Sequence, residues 1–231
     1  MPRPDLLSAF TWNDFEDYVL TVFATALREL RKQADLPRPE VFLNRELLTH
    51  SKNAHFSLSQ GGNGFPMTIL LDATNQPQPD DSARAARLRK KPDFQCALFN
   101  SSAQSAEESQ VFYCIECKRL GEPERSNRVF NENYTQHGIL RFQEIEHAYA
   151  KGFSSGAMIG YLQSMQPSNA LNEVNATAKA NGFPKISSPK KWKSQEATRL
   201  GSQIFRRNFP SETFTLHHLW VDLRNAKHRL S

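Results

Sequence analysis

Two short acid-bearing segments carry the chemistry this chain could do. Pro92-Asp93 opens the apolar run Phe94-Gln95-Cys96-Ala97-Leu98-Phe99. After 22 residues, Glu116-Cys117-Lys118 closes the run Val111-Phe112-Tyr113-Cys114-Ile115. Two carboxylates and an ammonium are what metal-assisted phosphodiester hydrolysis needs. Carboxylate oxygens hold a hard divalent cation, and the ammonium stabilises charge on the attacked phosphate or orients the attacking water. Residues two apart on a strand share a face. Glu116 and Lys118 are therefore expected to project together, with Cys117 on the other face beside Val111, Tyr113 and Ile115. Residues 100 to 110 are polar throughout, which predicts a hairpin loop. A hairpin makes the two strands antiparallel neighbours and brings Asp93 beside Glu116 and Lys118. Glu-x-Lys alone is common as a charge pair on exposed strands, and Pro-Asp alone as a turn. Their joint placement at two adjoining strand ends is the signal.

This arrangement resembles the PD-(D/E)xK nuclease superfamily, the restriction-endonuclease-like fold. Pro92-Asp93 matches the first half of its motif and Glu116-Cys117-Lys118 the second. The specific match covers residues 91 to 118, and small nucleases of restriction and antiphage systems look nearest. The resemblance implies that Asp93 and Glu116 ligate Mg²⁺, for which Mn²⁺ can substitute, helped by the main-chain carbonyl of Cys117. It implies that Lys118 positions or activates the water. A further acid on a helix before the core strands is common in such nucleases, and Glu16 is the candidate, with Asp14 and Asp17 as its neighbours. A helix after the lysine strand often supplies a polar helper. Tyr134, His137 and Arg141 are the candidates, with Arg141 suited to neutralising developing phosphate charge. DNA is the substrate the resemblance favours. A chain of this size leaves little room for a separate sequence-reading domain, so specificity is expected from a dimer mate, a protein partner or DNA shape. Two alternatives stay open: a catalytically inactive nucleic-acid-binding or assembly module of the same fold, and an effector nuclease silent until a partner activates it.

Charge agrees with an anionic partner. The 231 residues carry a net charge of +5, and the basic residues are grouped. Arg84, Arg87, Arg89, Lys90 and Lys91 run straight into Pro92-Asp93. Together with Arg119 they suit a phosphate backbone, which must be drawn in past the carboxylates. Lys185, Lys190, Lys191 and Lys193 form a second group around Trp192, and Arg206-Arg207 a third. Cys96, Cys114 and Cys117 are an odd set placed in expected core strands, which suits a reducing, cytoplasmic setting more than a disulfide framework. Cys114 and Cys117 form a CxxC, but three residues apart on a strand they face opposite ways, and no second ligand pair follows at finger spacing. No apolar stretch reaches membrane-spanning length, and Met1-Pro2-Arg3-Pro4-Asp5 lacks the hydrophobic core of a secretory leader.

The positioning elements follow from periodicity. Phe15, Val19, Val22, Phe23, Ala26, Leu27 and Leu30 recur at helical spacing over 12 to 33, with Thr11 or Asn13 as the cap. Residues 34 to 66 read as loop with a short helix near Glu40 to Thr49; the Gly61-Gly62-Asn63-Gly64 run lacks the Lys-Ser/Thr of a phosphate loop. Met67 to Leu71 reads as a strand. After the motif, residues 119 to 133 read as a loop, Thr135 to Lys151 as a helix ended by Gly152, Gly156 to Leu162 as a buried strand, 168 to 181 as a helix, and Phe214 to Leu223 as a strand. On that last strand His217 and His218 cannot share a face. The expected fold is α/β, a three-layer α/β/α sandwich around a central mixed sheet, formed by one domain over 1 to 231.

Overall fold

A computed structural model describes residues 11–74, 90–100, 103–105, 109–123, 129–207, 209–210 and 212–225. Arg84, Arg87 and Arg89 lie outside them. The core is one six-stranded mixed sheet in the order β1-β2-β3-β4-β6-β5. Its strands are β1 (Met67–Leu71), β2 (Phe94–Phe99), β3 (Gln110–Leu120), β4 (Ser155–Leu162), β5 (Thr198–Phe205) and β6 (Thr213–Asp222). β1, β2 and β3 form an antiparallel meander, β4 runs parallel to β3, β6 parallel to β4, and β5 closes the far edge antiparallel to β6.

Alternation along the strands divides the core in two. On one face α1 (Trp12–Lys32) and α2 (Glu40–Leu58) pack on Phe94, Tyr113, Ile115, Cys117, Ile159 and Tyr161. On the other, α3 (Phe130–Tyr134), α4 (Leu140–Gln143) and α5 (Pro167–Ala180) pack on Cys114, Leu120, Met158, Phe214 and Trp220. Cys114 and Cys117 thus lie on opposite faces, as their spacing demands. The fold is α/β, with helices against a mixed open sheet.

The helix expected at 12–33 spans Trp12–Lys32. Thr11 is its cap: Thr11 Oγ1 accepts from Asp14 N at 3.2 Å and Thr11 N donates to Asp14 Oδ2 at 3.1 Å. That reciprocal pair satisfies two end groups. α2 begins at Glu40 as expected but runs to Leu58 and continues into a π-turn, Ser59–Asn63.

Two departures bear on the site. The helix expected over Thr135 to Lys151 instead runs as α3, a π-turn at Thr135–Ile139 and α4, and ends at Gln143. It ends where Glu144 turns extended, at φ −72° and ψ 129°, and the turns that follow are held by Arg206. That side chain is fully buried, donates to the carbonyls of Tyr149, Ala150 and Phe153 at 3.3, 3.2 and 2.7 Å, and stacks on Phe214 and Phe209 at 3.8 and 4.4 Å. A carbonyl bonded to a guanidinium in this way serves the turn rather than a helix. Arg206 is therefore an internal clamp and not part of a surface basic group. The second departure is β5, an edge strand the sequence reading left unassigned.

Candidate active site

Asp93, Glu116 and Lys118 meet at one end of the sheet. In the β2–β3 ladder Phe94 faces Ile115, so Asp93 falls opposite Glu116. Asp93 Oδ2 accepts from Cys117 N at 2.7 Å, and Oδ1 accepts from Asn44 Nδ2 at 3.1 Å. Asn44 is itself held by Tyr161, whose hydroxyl donates to Asn44 Oδ1 at 2.8 Å. The first acid is thus oriented by α2, β3 and β4 together.

Glu116 is wholly buried. Its Oε1 accepts from Lys118 Nζ at 2.7 Å and from Arg141 at 2.6 Å, while Oε2 has no partner. The Lys118 ammonium also donates to the Cys117 carbonyl at 2.6 Å and lies 3.9 Å from Asp93 Oδ2. Gly138, in the π-turn, passes directly over this stem. A Cβ there would collide with Met158 and press on Lys118 Cγ at 3.4 Å.

A third acid completes the cluster. Glu40, the first residue of α2, accepts from Lys118 Nζ at 3.0 Å through Oε1 and from Arg119 N at 3.2 Å through Oε2. Sequence reasoning missed it. Its contact spans 78 positions, and an acid in a first helical turn is equally what the helix dipole favours. The one available signal was an acid at the start of a helix lying ahead of the core strands.

Electrostatics follow from burial. Burial pushes the Glu116 carboxyl up to about 8, and neighbouring Asp93 adds to the rise against the opposing Lys118 and Arg141. Burial likewise raises Asp93, with Lys118 offsetting part of the rise. For Lys118, burial works against the ammonium, but Glu116, Glu40 and Asp93 outweigh it and hold it protonated. Arg141 shows the same balance, with Glu116 prevailing over burial.

The remaining expected residues distribute as follows. Arg141 is in the cluster. Arg119 lies beside it, its guanidinium 4.2 Å from the Phe130 ring. Lys90 is partly buried and Lys91 exposed, just ahead of Asp93, and His137 is exposed on the π-turn. The Cys117 side chain faces the apolar core, so only its main chain reaches the site, the N–H to Asp93 and the carbonyl to Lys118. Glu16 and Tyr134 belong elsewhere. Glu16 Oε1 lies 3.0 Å from His217 Nε2, and although burial opposes its charge, His217 and Ser155 hold it below the usual range. Its partner His217 shares a row with Ala157 and Ile115 on the face of the sheet covered by α1, whereas Glu116 and Lys118 project from the other face. Tyr134 is fully buried, accepting from Trp220 Nε1 at 2.9 Å and bonded to His218 Nδ1 at 2.8 Å, so it has no surface to offer a polynucleotide. His217 and His218 point to opposite faces, as expected.

Among the described residues, no group of three or more His, Cys, Asp and Glu side chains is disposed to hold a metal unaided. The available donors are the Asp93 and Glu116 carboxylates and the Cys117 carbonyl, with Glu40 across the ammonium. That all-oxygen set fits Mg²⁺, which is commonly bound through one or two carboxylates with water and substrate phosphate completing its shell. The unpartnered, buried Oε2 of Glu116 is the observation in favour of the fit. The chain matches no protein-family model, no curated protein and no solved structure. Among the described residues no helix is long and apolar enough to cross a membrane.

Proposed function

We propose that this protein is a Mg²⁺-dependent nuclease of the restriction-endonuclease-like fold, hydrolysing phosphodiester bonds in DNA, with restriction or antiphage defence as its setting. One observation carries the reading: Asp93, Glu116 and Lys118 converge from two strand ends, with the Lys118 ammonium hydrogen-bonded to Glu116 at 2.7 Å and 3.9 Å from Asp93. The order of the sheet, an antiparallel meander followed by a parallel strand, supports the fold assignment.

Asp93, Glu116 and the Cys117 carbonyl would hold the cation. When bound, Mg²⁺ supplies a Lewis acid and lowers the pKa of water at the phosphate. Lys118 stays charged, its three N–H groups given to Glu116, Glu40 and the Cys117 carbonyl, and the N–H released when that carbonyl serves the cation could orient the attacking oxygen in line with the scissile bond. Arg141 lies on the same Glu116 oxygen and can turn its remaining N–H groups to phosphate oxygens as charge develops. Asn44 and Tyr161 keep Asp93 in one rotamer, and Glu40 sets the position of Lys118. Burial excludes bulk water, which strengthens each of these interactions.

The test is cleavage of supercoiled, linear and single-stranded DNA and of RNA, with Mg²⁺ or Mn²⁺, by wild type, Asp93→Asn and Lys118→Met. Loss of 100-fold or more in both variants, on the order seen when a charge-stabilising group is removed, supports the reading. Variants that cut at the wild-type rate would sink it. A wild type that binds tightly and never cuts selects the inactive module, and one that cuts only with the products of neighbouring genes selects the gated effector.

A further inference from the structure

The lysines at 185, 190, 191 and 193 lie in the segment between α5 and β5, and the sheet register places that segment in relation to Lys118. Lys118 pairs with Gly160, Gly160 with Trp220, and Trp220 with Thr198. These four residues form one row, a residue per strand, from the candidate catalytic lysine to the edge of the sheet. Facing partners in a ladder share a face, and the row lies on the face that buries Leu120 and Trp220. Thr198 then holds the basic segment: Lys193 N donates to Thr198 Oγ1 at 2.9 Å, and Trp192 packs against Trp220 at 5.8 Å. Further back, Ile186 exchanges two hydrogen bonds with Asn175, at 2.8 and 3.1 Å, and Ser187 N donates to Gly201 O. The segment is built against the sheet along its length.

Its charge faces outward. All four lysines are exposed, whereas Phe183 and Ile186 are buried. Over 182–197, four lysines less Glu196 leave a net charge of +3. Lys193 is paired with Glu196 at 2.8 Å, and no salt bridge among the described residues engages Lys185, Lys190 or Lys191. Three interstrand spacings separate the row's ends, or about 14 Å. That corresponds to about four phosphates along one strand of a duplex.

Resting on the nuclease reading, we infer that Lys185, Lys190 and Lys191 form a second phosphate-binding surface, which grips the DNA backbone away from the scissile bond, beyond the edge of the sheet that this row reaches. An anionic membrane is a poorer occupant, because the segment's large apolar side chains turn inward and leave little to insert into lipid.

The experiment measures binding of a short duplex in EDTA, so that cleavage does not intervene, for wild type and for the triple variant Lys185→Gln/Lys190→Gln/Lys191→Gln. A thermal melt checks that the exposed substitutions leave the fold intact. Losing three phosphate contacts lowers the slope of log affinity against log salt by about 2.7. Between about 50 and 200 mM salt, wild type therefore loses roughly 40-fold more affinity than the variant. Cleavage at saturating DNA is expected to be unchanged. Equal slopes would overturn this inference and leave the nuclease reading standing. A wild type that binds no nucleic acid would overturn both. Lysine-dependent binding to vesicles containing phosphatidylserine, without such binding to the duplex, would assign the surface to lipid and overturn the inference.

Discussion

Replacing Lys118 by Met removes the charge at the centre of the cluster while keeping most of the stem's volume. Above about pH 8, where Glu116 is ionised, the gross attraction is large: at 2.7 Å and an effective dielectric constant of about 20, the Lys118–Glu116 pair alone amounts to about 6 kcal/mol. Burial of both groups cancels part of this, and breaking such a pair from one side costs about 3 to 5 kcal/mol. The pH dependence separates this mechanism from plain loss of packing. Glu116 has its folded pKa raised from 4.5 to about 8. Its neutral form therefore favours the folded state; that stability is complete below 4.5 and is lost as pH rises through 8. Removing the ammonium raises the folded pKa further, so in the variant the loss continues above 8, at about 1.36 kcal/mol per pH unit. From about pH 8 to 9.5 the gap between the two proteins should widen by about 2 kcal/mol, or about 4 to 8 °C in Tm for a chain of this size. Near pH 6 Glu116 carries a proton in both, and the gap is smallest. Urea unfolding followed by circular dichroism in EDTA at three pH values measures it. Parallel stability–pH curves for the two proteins would refute the buried-cluster argument.

Glu40→Gln keeps the shape of α2 but removes a charge that holds Lys118, so cleavage is expected to fall about 10-fold or more with little change in DNA affinity, read as kcat against KM. His218 is fully buried, and burial, aided by His217, takes it down to about 3 from 6.5. Its neutral form stabilises the fold above 6.5, and that stability is lost at about 1.4 kcal/mol per unit as pH falls towards 3; acid unfolding of His218→Gln should lack this slope. Tyr161→Phe leaves Asn44 without its donor and is expected to cost about 1 to 3 kcal/mol in chemical denaturation. Gly121 has φ 139° and lies against Ser164, so Gly121→Ala should destabilise by at least about 1 kcal/mol, measured in the same way.

Much of the site was legible because it is written in local pattern. Period-two alternation and a polar loop were enough to place Asp93 against Glu116 and Lys118, and helical spacing placed α1 within a residue of its observed ends. What was illegible depends on contacts remote in sequence. Glu40 is recognised only once α2 docks on β3. Glu16 was the more natural choice on a strongly amphipathic helix, yet it is paired with His217 on the other face of the sheet from Glu116 and Lys118. Arg206 sits next to Arg207 and reads as surface charge, and nothing local says that it is enclosed between two phenyl rings. β5 escaped because Gly201, Ser202 and Gln203 dilute its apolar residues and because, as an edge strand, only one face is buried. In the π-turn at 135–139, a side chain on Gly138 would collide with the Met158 methyl, a contact that nothing in the local sequence announces.

The charged groups of the cluster come from positions 40, 93, 116, 118 and 141, and Asp93 is held through a tyrosine at 161. A chain made only as far as residue 160 lacks Tyr161, and one made only as far as residue 140 lacks Arg141 as well. On the nuclease reading, a product truncated before those positions would carry the acids without the groups that orient Asp93 and neutralise Glu116.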